Sequence, residues 1–144
     1  MQLKTILNHV TDYKSFVFES TTLVRAERHA WIEVEVVPRA NGVRICSGCG
    51  KARPGYDSQA KPRRFKFVPM WGLSVYLVYQ MCRVDCPLCG VKVERVPWAD
   101  GKSSMTTELK WFLARWARRM SWKDVAVTFH AGWDQVYEAV KHAV

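Results

Sequence analysis

The sequence predicts an α+β chain, with an antiparallel, strand-rich module over residues 1–98 and an all-helical module over 99–144. Three observations carry that reading. The first part holds period-two alternation, as in Trp31-Ile32-Glu33-Val34-Glu35-Val36-Val37, where Ile32, Val34 and Val36 share one face and Glu33 and Glu35 the other. Two Cys-x-x-Cys-Gly segments, Cys46–Gly50 and Cys86–Gly90, punctuate the strands. Beyond Trp98-Ala99-Asp100-Gly101 the pattern turns wholly helical. At 144 residues the chain has room for one average domain or two small modules.

Taken in order, Leu3, Ile6 and Leu7 are spaced for a short amphipathic helix. Tyr13–Phe18 and Thr21–Val24 read as separate short strand pieces, and Trp31–Val37 as a half-buried strand closed by turn residues from Pro38 to Gly42. Residues 43–64 read as loop. Phe65–Val68, a Pro69–Gly72 turn and one long strand from Leu73 to about Val84 predict an antiparallel hairpin. Val91–Val96 is a further strand, ended by Pro97. The segment around Trp98–Gly101 looks like a linker. Helices are predicted over Thr107–Met120, Trp122–Phe129, with Ser121 as N-cap, and Trp133–Ala143.

The cysteines are the most informative feature. There are five, and the N-terminus lacks a secretory h-region, so a disulfide framework is not expected. In a Cys-x-x-Cys pair both thiolates reach one ion, and glycine after the second cysteine permits the positive φ of a tight knuckle. Cys46, Cys49, Cys86 and Cys89 thus make a closed tetrahedral site for structural Zn²⁺, with no vacant position for chemistry. The spacer between the pairs is long for a ribbon, and the predicted hairpin accounts for it. Cys82 reads as a strand thiol. The four histidines show no ligand spacing.

Charge and the helices point to a polyanion partner. Lys plus Arg number 22 against 13 acids, a net charge of +9. Zinc-bound thiolates would lower this only to about +7. Ala126, His130 and Val136 fall where a helix-turn-helix places its small, turn and buried β-branched residues, with Trp133, Val136, Tyr137 and Val140 packing inward. Asp134, Gln135, Glu138, Lys141 and His142 would face outward, and Gln135 could read an adenine edge. Arg115, Arg118, Arg119, Lys123 and Lys141 are candidate phosphate contacts. Arg63, Arg64 and Lys66, in a basic stretch interleaved with aromatics, are a second set. A solvated basic loop and a plain three-helix unit are the bland alternatives. No apolar run reaches the ~18 residues of a membrane span, which suggests a cytoplasmic protein, nucleoid-associated when bound to DNA.

The order Cys-x-x-Cys-Gly, Tyr56-Asp57, Arg63-Arg64-Phe65, Pro69–Gly72, Arg83-Val84-Asp85-Cys86-Pro87-Leu88-Cys89-Gly90-Val91, Glu94-Arg95-Val96-Pro97-Trp98-Ala99 and a closing helix-turn-helix resembles the N-terminal region of the ISL-three family of insertion-sequence transposases. The resemblance implies binding of double-stranded DNA at the inverted repeats of a mobile element. The four knuckle cysteines would be the zinc ligands and Trp133–Ala143 the base-reading helix. It leaves homo-oligomerisation open. Family members continue into an RNase H-like domain with three metal-binding carboxylates. The scattered acids of this chain form no such set, so no enzyme activity is expected of it. A zinc-ribbon protein-interaction module and a transposase-derived repressor are the rival readings.

Overall fold

The computed structural model describes residues 2–144. The elements run α1 (Leu3–Val10), β1 (Phe16–Arg25), β2 (Ala30–Pro38), β3 (Ile45–Cys46), β4 (Gly55–Ser58), β5 (Arg63–Met70), β6 (Leu73–Tyr79), β7 (Cys82–Cys86), β8 (Gly90–Arg95), α2 (Thr107–Ala117), α3 (Trp122–Thr128) and α4 (Trp133–Ala143). They form a mixed α+β fold with two four-stranded sheets, ordered β1-β2-β6-β5 and β3-β8-β7-β4.

The chain visits the first sheet with β1 and β2, leaves it for β3 and β4, returns with β5 and β6, and leaves again for β7 and β8. Each excursion carries one cysteine knuckle. The long spacer between Cys49 and Cys86 therefore contains a hairpin, β5–β6, that belongs to the other sheet. Alternation in β2 appears as expected, with Ile32, Val34 and Val36 buried and Glu35 exposed.

Four strand expectations are corrected. The first sheet is not purely antiparallel, because β2 and β6 pair in parallel from Trp31↔Ser74 to Glu35↔Val78. Period-two patterning fixes faces and says nothing of direction. The two N-terminal pieces form one strand, β1, whose register shifts between Phe18 and Ser20, so the break in alternation is a β-bulge. The long strand from Leu73 divides at Gln80 and Met81, which separate β6 in the first sheet from β7 in the second. Residues 43–64, read as loop, also contain the short strands β3 and β4.

A buried carboxylate holds the point of division. Glu94 of β8 is 2% exposed; its Oε2 accepts from the Tyr79 hydroxyl and from the Cys82 backbone N–H, both at 2.8 Å. The last residue of β6 and the first of β7 are thereby tied to β8. Replacing Glu94 with alanine strands both buried donors, at about 1–3 kcal/mol for each unsatisfied group. A urea melt should show the loss, and an unchanged midpoint would contradict this role.

Trp98 is the hub of the first core. It is fully buried, with ring centroids of Phe16 at 4.9 Å, Tyr79 at 5.2 Å, Tyr13 at 5.5 Å and Phe65 at 5.7 Å. Ala99 is buried beside it. The segment that follows is stitched to the sheet edge: Lys66 N–H donates to Ser104 O and Thr106 N–H to Lys66 O. The change of composition near Trp98 thus marks a change of secondary structure within packed chain. Contacts also reach from the β part to the helices, with the Tyr13 hydroxyl donating to Glu108 Oε1 at 2.6 Å and Lys66 Nζ to His130 O at 2.6 Å. Burial, and then the Glu108 carboxylate, push the Tyr13 phenol well above its ordinary range.

The three C-terminal helices enclose their own small core of Met105, Leu109, Leu113, Val125, Ala126, Val136 and Ala139. Thr106 and Ser121 cap α2 and α3 by accepting from Leu109 and Asp124 N–H. Their small buried members, Ala126 and Ala139, let helix backbones approach closely.

Candidate functional site

The second sheet has almost no core of its own. Its own apolar cluster is Cys46, Val84 and Cys86, with Cys49 and Cys89 packed against them. Cys46 ends β3 and Cys86 ends β7, so each knuckle turns at a strand terminus. Gly50 and Gly90, which follow the second cysteines, have φ of 74° and 81°, a region where glycine carries no Cβ penalty. At Gly48 a Cβ would stand 2.8 Å from Cys89 Sγ, so the first knuckle has no room for a side chain there. Backbone N–H groups of Gly48 and Cys89 each point at a sulfur, Cys46 Sγ and Cys86 Sγ, at 3.4 Å.

All four sulfurs lie within 4.8 Å of one another. Cys49 Sγ and Cys86 Sγ are 3.7 Å apart. A tetrahedral site with Zn–S bonds of ~2.3 Å has an S–S edge of about 3.8 Å, so the donor set fits Zn²⁺. Electrostatics around the sulfurs favour thiolate at selected positions. A backbone hydrogen bond at Lys51 lowers Cys49 below its ordinary value. Desolvation alone would raise Cys86, but the N–H groups of Cys89 and Leu88, with Cys49 and Arg53, bring it down to about 6. Desolvation and the crowding sulfurs push Cys89 up to about 12. Packing four thiolates together is thus unfavourable until a cation neutralises them.

Sequence reasoning missed Arg53 at this centre. Its guanidinium donates toward Cys49 Sγ at 4.0 Å. A lone arginine in a basic stretch gives no sign of its target. The structure also joins two separated pieces of the sequence array. Asp57 and Arg83 face each other across β4 and β7, with Arg83 Nε donating to Asp57 Oδ1 at 2.8 Å and its guanidinium 5.4 Å from the Tyr56 ring. The Arg83 contact lowers Asp57 below the usual carboxylate range. Cys82 is buried against Ser58 and stays apart from the four-sulfur group.

The basic residues divide into two groups. On β5, Arg63 is spent internally, donating to Ser103 O at 2.9 Å and lying 4.6 Å from the Phe65 ring. Burial lowers Arg63 and Lys66 below their ordinary values. Arg64 pairs with Glu33 at 3.4 Å. Arg115, Arg118, Arg119, Lys123 and Lys141 are exposed, and among the described residues none lies within ion-pair distance of a carboxylate. Arg115, Arg118 and Arg119 line one open groove at the C-terminal end of α2.

The faces of α4 need correction. Val136 and Ala139 are buried, but Trp133 and Tyr137 are 59% and 56% exposed. The buried stripe is displaced because α2 packs on Ala139, so the two aromatics point away from the core. Gln135 is half-buried, and its Oε1 accepts from Gly132 N–H at 3.1 Å, capping its own helix. Glu138 accepts from Ser103 Oγ at 2.8 Å and pairs with the buried Lys110 at 3.2 Å. Its charge is therefore directed inward. The turn before α4 holds His130 at φ 53°, the left-handed conformation expected there.

These features define a zinc-ribbon protein with a basic helical end. Residues 42–95 match the family model described as the zinc-finger of transposase IS204/IS1001/IS1096/IS1165. The chain is 34% identical over 70 residues to the transposase for insertion sequence element IS1557 of Mycobacterium tuberculosis, in strains CDC 1551 / Oshkosh and ATCC 25618 / H37Rv. That match takes in 49% of this chain and 16% of each relative. Residues 42–95 are thus similar to the zinc-ribbon region of ISL-three-type transposases, and the four clustered cysteines make structural zinc the cofactor of this region. No solved structure matches it. No helix of the described residues is long and apolar enough to cross a membrane.

Proposed function

We propose that this chain binds double-stranded DNA in a sequence-dependent way at the ends of a mobile element, with α3 and α4 as a helix-turn-helix and zinc as a folding ion. The observation that carries the reading is the pairing of an exposed α4 face with a set of cations that no carboxylate among the described residues neutralises. In this arrangement α4 enters the major groove and presents Trp133, Tyr137 and Lys141. Aromatic rings on that face would contact thymine methyl groups and sugars, and Lys141 a phosphate. Arg115, Arg118, Arg119 and Lys123 would grip the flanking backbone. Gln135 supports the helix by capping it rather than by reading a base. Glu138, neutralised by Lys110, offers little repulsion to DNA.

No catalytic role is proposed, and cleavage or joining of DNA would need residues outside this constellation. The test is a titration of zinc-loaded protein onto a duplex across a range of salt. Phosphate contacts release counterions, so log affinity should fall linearly with log salt, by about 0.9 for each contact. A flat dependence would reject the reading and favour a protein-interaction module.

A further inference from the structure

The face of the first sheet that points away from its core is not a plain solvated surface. Trp31 of β2, Tyr76 of β6 and Arg64 of β5 form one layer on it. The Arg64 guanidinium carbon stands 4.2 Å from the Tyr76 ring centroid and 5.9 Å from that of Trp31. Glu33 holds the guanidinium from the side, and its other contact is the Trp31 indole N–H at 3.3 Å. The guanidinium thus lies over the Tyr76 ring and near that of Trp31, so that its own outer face and the indole are what this layer offers to a planar ligand.

That layer lies in a trough. One part, of about 570 Å³, is lined by Arg28, His29, Trp31, Arg64, Tyr76 and His130 among others. A second, of about 300 Å³, continues past Arg64, Tyr76 and His130 to Lys66 and the start of α4. The trough thus runs from the β1–β2 turn across the sheet to the helix proposed to enter the major groove. Asp134, at its far end, is the single carboxylate among the residues lining it. Arg28 and His29 sit exposed at the near end.

We propose that this trough binds an unpaired stretch of a DNA strand, with base faces on the Trp31–Arg64–Tyr76 layer and phosphates toward Arg28, His29 and Lys66. The argument is geometric. Duplex DNA shows a protein only base edges and backbone, whereas a guanidinium stacked on an aromatic ring, with an indole beside it in a trough, is complementary to base faces, which only an unpaired strand exposes. Stacking of this kind tolerates sequence, because every base has a π face. The inference rests on the duplex reading above for its position beside α4, and extends it to a strand that leaves the duplex.

The test is fluorescence anisotropy on the zinc-loaded chain with four probes: a blunt duplex of about 20 base pairs, the same duplex with a tail of about ten unpaired thymidines, and oligothymidine and oligouridine of about 15 nucleotides. The tail should tighten binding by roughly tenfold. Trp31→Ala should remove that gain and leave the blunt duplex unaffected. Arg28→Glu, at an exposed turn, should do the same and cannot act by unfolding the sheet. The proposal is overturned by a tail without effect, by substitutions that weaken blunt and tailed duplexes equally, or by oligouridine bound tighter than oligothymidine, which would make the ligand RNA. If the blunt duplex does not bind but oligothymidine does, and Arg28→Glu abolishes it, the duplex reading falls and the trough stands. If neither binds, both fall.

Discussion

Cys46→Ser or Cys89→Ser should leave the second sheet unfolded and the protein unable to retain zinc. The reason is the size of the core it would have to fold on. Its own apolar cluster is Cys46, Val84 and Cys86, so the ligands are themselves most of that cluster. Apolar burial on that scale cannot offset the ordering of four strands. Zinc binding, worth roughly 10–16 kcal/mol in small zinc modules, supplies the difference. A chelator should have the same effect on the unaltered chain, and acid should promote it, since protons compete for the thiolates. The first sheet has its own core around Trp98 and should retain strand signal, so circular dichroism should show a partial loss. A serine variant with unchanged dichroism and melting would overturn the zinc-ribbon account of this sheet's stability.

The second large effect concerns DNA. Replacing Arg115, Arg118 and Arg119 together with alanine should weaken duplex binding on the order of 100-fold at physiological salt. The slope of log affinity against log salt should become shallower by about 0.9 for each contact removed, close to three in all. Stability should hardly change, because the three side chains are exposed and none has a carboxylate partner among the described residues. The loss should be uniform across sequences, as expected of phosphate contacts. Unchanged affinity and slope would mean that DNA does not pass this groove, and a loss confined to one sequence would assign the arginines to bases.

These expectations draw unequally on the sequence. The zinc centre was legible because its chemistry is local: two Cys-x-x-Cys-Gly knuckles announce four ligands wherever the chain carries them. Helix starts were legible for the same reason, since Ser121 and the His130 turn act within a few residues, whereas α2 stops at Ala117 and not at the expected Met120. Strand direction was not. The parallel β2–β6 pair is decided by where the chain returns after the first knuckle, which no alternation encodes. Glu94 was hidden as well. It occupies an ordinary position in a strand pattern, and only the convergence of Tyr79 and Cys82 makes a carboxylate useful there. The basic residues show the limit most plainly. Arg63 and Arg119 look alike in sequence, yet one is bound to Ser103 and the other is free for a partner.

The proposed function stands on sequence-dependent binding of duplex DNA. The most direct measurement is retention of a random pool of duplexes by the zinc-loaded protein at physiological salt, followed by sequencing of what is held. An enriched motif, weakened by substitution of Trp133 or Tyr137 on the exposed face of α4, is the predicted result. Retention without enrichment, or no retention, would contradict it.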